Sequence, residues 1–265
     1  SCLEQPVVGN LTEDNGLEIF SGYKKTVKLF NSTGSIKWDK KVNRDKNGTI
    51  QSSPVIADLN GDDENEIAVG DTDGRIHAFD GNGNYLSGYP VRAAYKNQDT
   101  VAAADLLGSQ GKEIIAGGWG GQVHILDQDG VQRELNPDVT WIDSVQTIAD
   151  INSDGKKEIL VADFTEANKV IALTEDGDKV WAHAVNGNTH RVAPVVADIN
   201  FDGENEIVMA TEETTIDVLN SSGRSLDGFP KNMGSEVNDL SLADVTGDGY
   251  LDIIAGHGDA LLKGY

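Results

Sequence analysis

An acidic segment recurs six times along this chain of 265 residues, and its spacing is almost constant. Two of the clearest copies are residues 57–62 (ADLNGD) and 149–154 (ADINSD), and each is followed by Glu-Ile four positions after its last aspartate. The six copies begin at positions 10, 58, 105, 150, 198 and 244, so that neighbouring copies lie 45 to 48 residues apart. A fixed period over the whole chain indicates a repeat architecture in which each unit stacks on its neighbours.

Each repeat has the pattern of short strands separated by turns. In the second repeat, an apolar strand at Ser53–Ala57 enters the acidic segment, and Glu66–Gly70, Arg75–Asp80 and Tyr85–Val91 follow as further strands. Asp71–Gly74 has the Asp/Gly composition of a tight turn. Four antiparallel strands within roughly 40–50 residues are typical of a propeller blade.

The predicted fold is therefore all-β, a β-propeller of six blades with about four antiparallel strands each. The last repeat ends before a fourth strand, so seven blades, or a fragment of a larger propeller, remain as alternatives. The regular period leaves no room for a separate domain. We predict a single domain, 1–265, with repeats at approximately 1–50, 51–98, 99–140, 141–189, 190–235 and 236–265.

The acidic segment places oxygen-bearing side chains at its positions 1, 3, 5 and 9. In the second repeat these are Asp58, Asn60, Asp62 and Glu66. Ca²⁺ takes six to eight oxygen ligands, and carboxylates crowded into one small loop repel each other unless a cation lies between them. The loop is not an EF-hand, because its closing acid stands at position 9 and a strand, not a helix, follows. The pattern predicts several structural calcium ions.

This loop resembles the D-x-[DN]-x-D-G-x-x-[DE] loop of FG-GAP repeats, also called VCBS-type repeats, which build integrin-like propellers. The resemblance covers nearly the whole chain and implies calcium ligands at the matching positions. The third repeat has Leu107 and Ser109 between Asp105 and Glu113, and we expect this loop to be empty. The implied ligands are Asp58, Asn60, Asp62 and Glu66; Asp150, Asn152, Asp154 and Glu158; Asp198, Asn200, Asp202 and Glu206; Asp244, Thr246, Asp248 and Asp252; and, with only two carboxylates, Asn10, Thr12, Asp14 and Glu18.

Charge and motifs narrow the classes of function. The formal net charge of −23 argues against nucleic acid and anionic membranes as partners, because both would repel the chain. No apolar run is long enough to span a bilayer, and no catalytic or cofactor-binding signature is present. Cys2, the one cysteine, resembles the lipidated cysteine of a bacterial lipoprotein, although an ordinary terminal cysteine is the favoured interpretation.

The resemblance implies an extracellular or cell-surface recognition or adhesion module that binds a protein or a surface glycan at one face; a periplasmic location is the alternative. A secreted polysaccharide lyase or hydrolase is a rival, in which His190 or Arg191 would share a groove with Trp119 or Trp141. A structural spacer within a larger surface protein is the third interpretation. Function inferred from a fold alone is analogy.

Histidine and tryptophan positions complete the predictions. His77 and His124 occupy the same place on the third strand of two repeats, where Lys28, Ile171 and Asp217 stand in others. This variability predicts an exposed face. Packing roles are predicted for Trp38 and Trp181, and a surface-loop position for His183.

Overall fold

The computed structural model describes residues 6–12, 16–42, 48–93, 101–118, 120–130, 132–137, 142, 147–162, 169–185, 192–211, 214–257 and 262–264. All regular structure in these residues is β, in six antiparallel sheets whose strands follow one another in chain order. No helix in the described ranges has the length and apolarity that crossing a bilayer requires. The all-β prediction is therefore confirmed.

Contacts between residues divide the chain into two compact units, Ser1–Asn136 and Pro137–Tyr265. The single domain predicted for 1–265 stays a prediction. The first unit contains three four-stranded sheets. Sheet 1 consists of β1 (Val7–Gly9), β2 (Glu18–Tyr23), β3 (Thr26–Phe30) and β4 (Ile36–Lys41); sheet 2 of β5 (Val55–Ala57), β6 (Glu66–Gly70), β7 (Arg75–Phe79) and β8 (Val91–Arg92); and sheet 3 of β9 (Ala102–Ala104), β10 (Glu113–Gly117), β11 (Val123–Leu126) and β12 (Gln132–Leu135).

The second unit repeats this arrangement with two four-stranded sheets and one sheet in which three strands are described. The three-stranded sheet agrees with the early end of the last repeat. Sheet 4 consists of β13 (Thr147–Ala149), β14 (Glu158–Ala162), β15 (Lys169–Leu173) and β16 (Lys179–Ala184); sheet 5 of β17 (Val195–Ala197), β18 (Glu206–Ala210), β19 (Thr215–Leu219) and β20 (Lys231–Asn232); and sheet 6 of β21 (Val237–Ala243), β22 (Asp252–His257) and β23 (Leu262–Gly264).

Sheets that are adjacent in the chain pack face to face within each unit. Between sheets 1 and 2, Phe20, Val27 and Leu29 meet Ile67 and Phe79 in one buried cluster. Similar clusters join sheet 2 to sheet 3, sheet 4 to sheet 5, and sheet 5 to sheet 6. Strands covered on both faces are almost continuously apolar, and β6, β14 and β18, which are apolar after their first glutamate, are buried at every residue.

The two predicted packing tryptophans have equivalent contacts in the two units. Trp38 donates its indole N–H to the carbonyl of Gly81 at 2.9 Å, and Trp181 donates to the carbonyl of Ser221 at 3.0 Å. The ring of Trp38 lies against Gly83, where an added Cβ would stand only 2.8 Å from a ring carbon. The packing prediction is confirmed, and each ring ties the fourth strand of one sheet to a turn of the next.

The fourth strand of the second repeat is shorter than predicted. The sequence pattern indicates a strand at Tyr85–Val91, but β8 contains only Val91–Arg92. Leu86 to Tyr89 form a turn, in which the Tyr89 N–H donates to the Leu86 carbonyl at 3.2 Å, and the Tyr89–Pro90 peptide bond is cis. Proline has no N–H for a β-ladder, so the strand begins only after it.

The exposed face predicted for His77 and His124 is wrong. His77 is fully buried, with its Nε2 2.9 Å from Asp71 Oδ2 and its Nδ1 3.0 Å from the Tyr85 hydroxyl, and His124 is 5% exposed. The third strand is an interior strand, so neighbouring sheets can cover both of its faces. His77 and Asp217 are buried beside polar partners at this position, whereas Lys28 of the first repeat is only half-buried.

Candidate metal centres

The acidic loop of the second repeat brings its carboxylates together. It joins β5 to β6, and carboxylate oxygens of Asp58, Asp62 and Glu66 all lie within 4.8 Å of one another. The fourth and sixth positions, Gly61 and Asp63, have φ angles of 77° and 67°. This left-handed backbone at two points coils the loop so that its odd-numbered side chains converge.

Backbone N–H groups hold these carboxylates in place. Asp58 accepts from the N–H groups of Gly61 and Asp63, at 2.6 and 3.2 Å. Glu66, the first residue of β6, accepts from the N–H of Leu59 at 2.8 Å. The carboxylates of the cluster are thus held in fixed positions by the backbone of the loop.

The donor set of this loop fits a hard divalent cation. Glu66 is 2% exposed, and its burial, followed by the charges of Asp62 and Asp58, raises its pKa to about 7 against an opposing hydrogen bond from the Leu59 N–H. A bound cation would reverse this preference and favour the carboxylate. The amide nitrogen of Asn60 faces Asp62 and Glu66 at 3.0 and 3.3 Å, so this amide must turn for its oxygen to become a ligand.

The loops of the fourth and fifth repeats have the same construction. Glu158 and Glu206 each accept from a backbone N–H at 3.0 Å, and burial raises the pKa of both carboxyls. Their fourth positions, Ser153 and Phe201, have φ angles of 59° although neither is glycine. Their first aspartates accept from two backbone N–H groups each, Asp150 from Asp154 and Gly155, and Asp198 from Asp202 and Gly203.

The sixth repeat keeps the loop but exposes it. Asp244 accepts from the N–H groups of Gly247 and Gly249 at 2.6 and 2.9 Å, as the first aspartate does in the other complete loops. Asp252 replaces the usual glutamate and accepts from the N–H groups of Val245 and Thr246. Thr246 supplies a neutral hydroxyl in the place of an amide, and Asp248 completes the acidic set. This loop offers the same oxygens in a more solvated setting.

In the first repeat, a lysine ammonium reaches the acidic loop. Lys37, on β4 of the same sheet, has its Nζ 2.6 Å from the Thr12 hydroxyl and 3.2 Å from Glu18 Oε1. Glu18 is fully buried and also accepts from the Leu11 N–H at 2.9 Å. Asp14, a predicted ligand, lies outside the described residues. The loop therefore has an internal cation beside its closing glutamate.

In the third repeat, a hydroxyl group lies beside the closing glutamate of the loop. Ser109 donates its hydroxyl to Glu113, and Glu113 also accepts from the Leu106 N–H at 2.8 Å. Asp105 accepts from the N–H of Gly108 at 3.1 Å. Leu107 has no oxygen in its side chain, so this loop offers the fewest ligands; its predicted vacancy stays a prediction.

Neighbouring loops within each unit are joined through their first and eighth positions. The amide of Asn65 donates to the carbonyl of Asn10 at 3.0 Å, and Asn205 donates to the carbonyl of Asp150 at 2.8 Å. Between the second and third repeats, the backbone N–H of Lys112 donates to the Asp58 carbonyl at 3.0 Å. These hydrogen bonds link each of these loops to its neighbour.

The other residues singled out in the sequence are placed differently or not described. His183 lies on β16, not in a surface loop, with its Nε2 3.2 Å from Asp217 on the next sheet. Sequence reasoning missed this pair and the Lys37–Glu18 pair, because both join residues separated by a strand ladder or a sheet boundary. Cys2, Trp119, Trp141, His190 and Arg191 lie outside the described residues.

Two family profiles match different parts of the chain. The FG-GAP-like repeat matches residues 150–209, which contain the acidic loops of the fourth and fifth repeats. The lambda-carrageenase beta-propeller domain matches residues 19–137, most of the first unit. A search of the curated proteins found no significant match.

Solved structures show a similar fold at low sequence identity. BamB from Moraxella catarrhalis is 17% identical with a TM-score of 0.61, and the match covers 97% of this chain and 66% of that one. BBS1N, solved in complex with ARL6DN, is 12% identical with a TM-score of 0.65, covering 99% and 91%. The V. cholerae biofilm matrix protein Bap1 is 19% identical with a TM-score of 0.62, covering 91% and 41%. At these identities the likeness shows the fold alone.

Proposed function

We propose that this β-propeller protein, built from FG-GAP-like repeats, is an extracellular recognition module whose acidic loops bind structural calcium ions. The observation that carries the proposal is the convergence of Asp58, Asp62 and Glu66 within 4.8 Å, which among the described residues is found in the second loop. The backbone hydrogen bonds to the first aspartate recur in three other loops. An ion at each of these loops would fix the connection between the first and second strands of its sheet. Rigid sheets would then hold the outer loops in position for a ligand.

Calcium is favoured over softer metals by the donor atoms. The clusters contain carboxylate, amide and hydroxyl oxygens, whereas zinc, copper and iron sites use histidine or cysteine in most proteins. An ion present at about 100 times its dissociation constant stabilises the folded state by about 2.7 kcal/mol per site. Four such loops would contribute a large part of the stability of a chain this size.

The comparisons support a glycan over a protein as the ligand. One matching profile describes a propeller domain of an enzyme named for a polysaccharide, and one similar structure belongs to a biofilm matrix protein. Both also support a location outside the cell. The carrageenase profile favours a second candidate, a polysaccharide-cleaving enzyme. Incubation with acidic polysaccharides separates the two: a recognition module leaves chain length unchanged, whereas new reducing or unsaturated ends would identify the enzyme.

Calorimetric titration of the chelator-treated protein with calcium tests the metal assignment. We expect Asp58→Asn to lose one calcium ion relative to the unchanged protein, because it removes a charge from a complete ligand set. Asp105→Asn is the matched control, since it changes the same loop position in the repeat that lacks the middle ligands. Equal stoichiometry in all three proteins, or melting curves that are identical with calcium and with chelator, would refute the assignment.

A further inference from the structure

Lysines are concentrated on the first sheet of an otherwise acidic protein. Residues 16–42 contain six of the 21 basic residues of the chain, and only Glu18 and Asp39 oppose them. The segment thus has a charge of 6 − 2 = +4, whereas the whole chain has −23. Such a concentration is a local feature that the net charge conceals.

Strand register collects several of these lysines on one face. Tyr23, Thr26 and Lys41 are directly opposite one another on β2, β3 and β4. In the next row with the same orientation, Lys28 on β3 pairs with Ser21 and Asp39. Val27 and Leu29 point the other way and pack against sheet 2, so the lysine rows lie on the face of sheet 1 that sheet 2 does not cover.

The lysines line an open cleft. A cavity of about 830 Å³ is bordered by Lys24, Lys25, Lys41, Thr26, Thr49 and Val42, and no carboxylate borders it among the described residues. A second cavity of about 400 Å³ adjoins it, because Lys24 and Thr26 line both, and extends the cleft to Tyr23 and Lys28. Asp39, which pairs with Lys28 across β3 and β4, is the carboxylate that borders this second cavity. We call these two cavities together the lysine cleft. A volume in this range accommodates a short oligosaccharide.

Three charges of the lysine cleft, those of Lys24, Lys28 and Lys41, are available to a ligand. Among the described residues, no ion pair involves Lys24, Lys28 or Lys41. Lys24 lies 5.1 Å from the ring centre of Tyr23, which is 65% exposed. By contrast, Lys37 is engaged with Glu18 on the same sheet.

We infer that the lysine cleft binds an anionic polysaccharide, with its sulfate or carboxylate groups at Lys24, Lys28 and Lys41 and a sugar ring on Tyr23. This inference rests on the proposed recognition function and specifies its ligand. Ammonium groups act as compact point charges for sulfate or carboxylate, and the hydroxyls of Thr26 and Thr49 can bond sugar hydroxyls. A nucleic acid duplex fits less well, because its denser phosphate charge would be repelled by the acidic remainder of the protein.

The test uses the full chain in calcium and three oligosaccharides of equal length, one sulfated, one carrying uronates and one neutral. We expect the sulfated ligand, the uronate ligand or both to bind, and the neutral one not to bind. Comparison of the two anionic ligands shows which group is recognised. Raising the salt concentration should weaken the binding, because the contacts are charge pairs.

The variant Lys24→Gln/Lys41→Gln should lower the affinity at least tenfold while leaving calcium-dependent melting unchanged. Its control, Lys156→Gln/Lys179→Gln, removes the same charge from exposed lysines of the second unit and should leave affinity unchanged. The single variant Tyr23→Ala should also weaken binding of the anionic oligosaccharide. The salt dependence of its binding should match that of the unchanged protein, because no charge is removed. These three outcomes together support the cleft.

Several outcomes would overturn the inference. Equal losses in both double variants would mean nonspecific attraction, and tighter binding of a DNA oligonucleotide that depends on Lys24 and Lys41 would identify a different ligand. A dimer that Lys24→Gln/Lys41→Gln dissociates would make this face an interface between two copies. Absence of any binding, with calcium-dependent melting intact, would refute the cleft and leave the calcium assignment standing; loss of both would refute both.

Discussion

Two left-handed residues give each complete acidic loop its shape. At the fourth and sixth positions the φ angles lie between 59° and 93° in the second, fourth, fifth and sixth repeats. Glycine occupies five of these eight positions, and Asp63, Ser153 and Phe201 occupy the rest. A side chain in this region is strained by about 1–2 kcal/mol, so the shape is maintained by the hydrogen bonds to the aspartate at position 1.

Gly61 is predicted to tolerate no side chain, because its Cβ would collide with the neighbouring loop. Gly247, the equivalent residue of the sixth repeat, has no such neighbour. Both have nearly the same φ, 77° and 76°, but a Cβ on Gly61 would stand 1.8 Å from the carbonyl oxygen of Gln110, whereas nothing lies within 4 Å of one on Gly247. We expect Gly61→Ala to destabilise the protein by several kcal/mol, through backbone displacement as well as strain. Gly247→Ala should cost only about 1 kcal/mol.

Denaturant unfolding of the two variants measures this difference. Because the φ strain is common to both, the excess in Gly61→Ala reports the packing of the second loop against the third. Equal destabilisation would show that the contact with Gln110 yields without cost.

Individual residues also show how far sequence reasoning reaches. The ligand positions of the acidic loops follow from their spacing, because a nine-residue pattern is local. The burial of His77 does not, since its partners Asp71 and Tyr85 are brought to it by two separate turns. The interaction of Lys37 with Glu18 is likewise invisible in the sequence, because it spans three strands of sheet 1.

At the scale of the element, a lysine ammonium in the first repeat lies where other loops are proposed to hold a metal ion. Lys37 donates to Thr12 and Glu18 in the first repeat, where other repeats offer carboxylates to a cation. We predict that Lys37→Met destabilises the chelator-treated protein by about 1–3 kcal/mol, because the buried Glu18 loses its counter-charge. The same variant should gain a calcium ion, since Asn10, Thr12 and Glu18 would then be open to one.

Calcium titration and melting, each compared with the unchanged protein, check this exchange. Lys156→Met, which removes an exposed ion pair with Glu175, serves as the control and should not alter the stoichiometry. A Lys37→Met protein with unchanged calcium stoichiometry would show that the first loop cannot hold an ion even without the lysine.

The contact of His183 with sheet 5 depends on pH. His183 on β16 has its Nδ1 3.0 Å from the Gly223 carbonyl and its Nε2 3.2 Å from Asp217 Oδ2. Both partners only accept hydrogen bonds, so both contacts are complete only when both ring nitrogens carry protons, and the arrangement favours the cationic imidazole. The hydrogen bond with Asp217 is the main cause that raises the pKa of His183 above its ordinary 6.5.

The direction in which pH changes the stability follows from the raised pKa of His183, because proton binding and folding are linked. A pKa that is higher in the folded state stabilises the protein fully below the unfolded value of about 6.5, and this contribution is lost as pH rises through the folded pKa. We predict that His183→Lys abolishes the loss, because Lys40 at the equivalent position of the first unit donates to the matching carbonyl of Gly83. Melting temperatures from about pH 5 to 9 should therefore fall more for the unchanged protein than for the variant; parallel curves would contradict the assignment.

The strands differ in how far their bounds follow from the sequence. The second strand of each repeat begins at the closing acid of the loop, and in β6, β14 and β18 the residues after this acid are all apolar. The strand β6 therefore has the predicted bounds Glu66–Gly70. The fourth strand is less determined by its sequence. In the second repeat, the turn at Leu86–Tyr89 delays it until after Pro90, and β8 pairs through only two residues.

At the scale of the whole molecule, the fold must accommodate a large excess of negative charge. With one divalent ion in each of the four loops of repeats two, four, five and six, the formal charge changes from −23 to −23 + 8 = −15. Repulsion among carboxylates should thus destabilise the ion-free protein most, and calcium should relieve it both locally and across the surface. A change in ionic strength alters the repulsion among the carboxylates and leaves the calcium ligands themselves unchanged.

Raising the NaCl concentration should therefore narrow the difference in melting temperature between calcium and chelator. Screening shortens the Debye length from about 20–30 Å near 0.02 M to about 4–5 Å near 0.5 M, which stabilises the ion-free protein and weakens the attraction of Ca²⁺ to the loops. Both effects act in the same direction, so the chelator curve rises with salt while the calcium curve changes less. Asp58→Asn should show a smaller difference at every salt concentration, because it has one site fewer. A difference that stays constant or widens with salt would mean that calcium stabilises the sheets through loop geometry alone, with no contribution from the relief of charge repulsion.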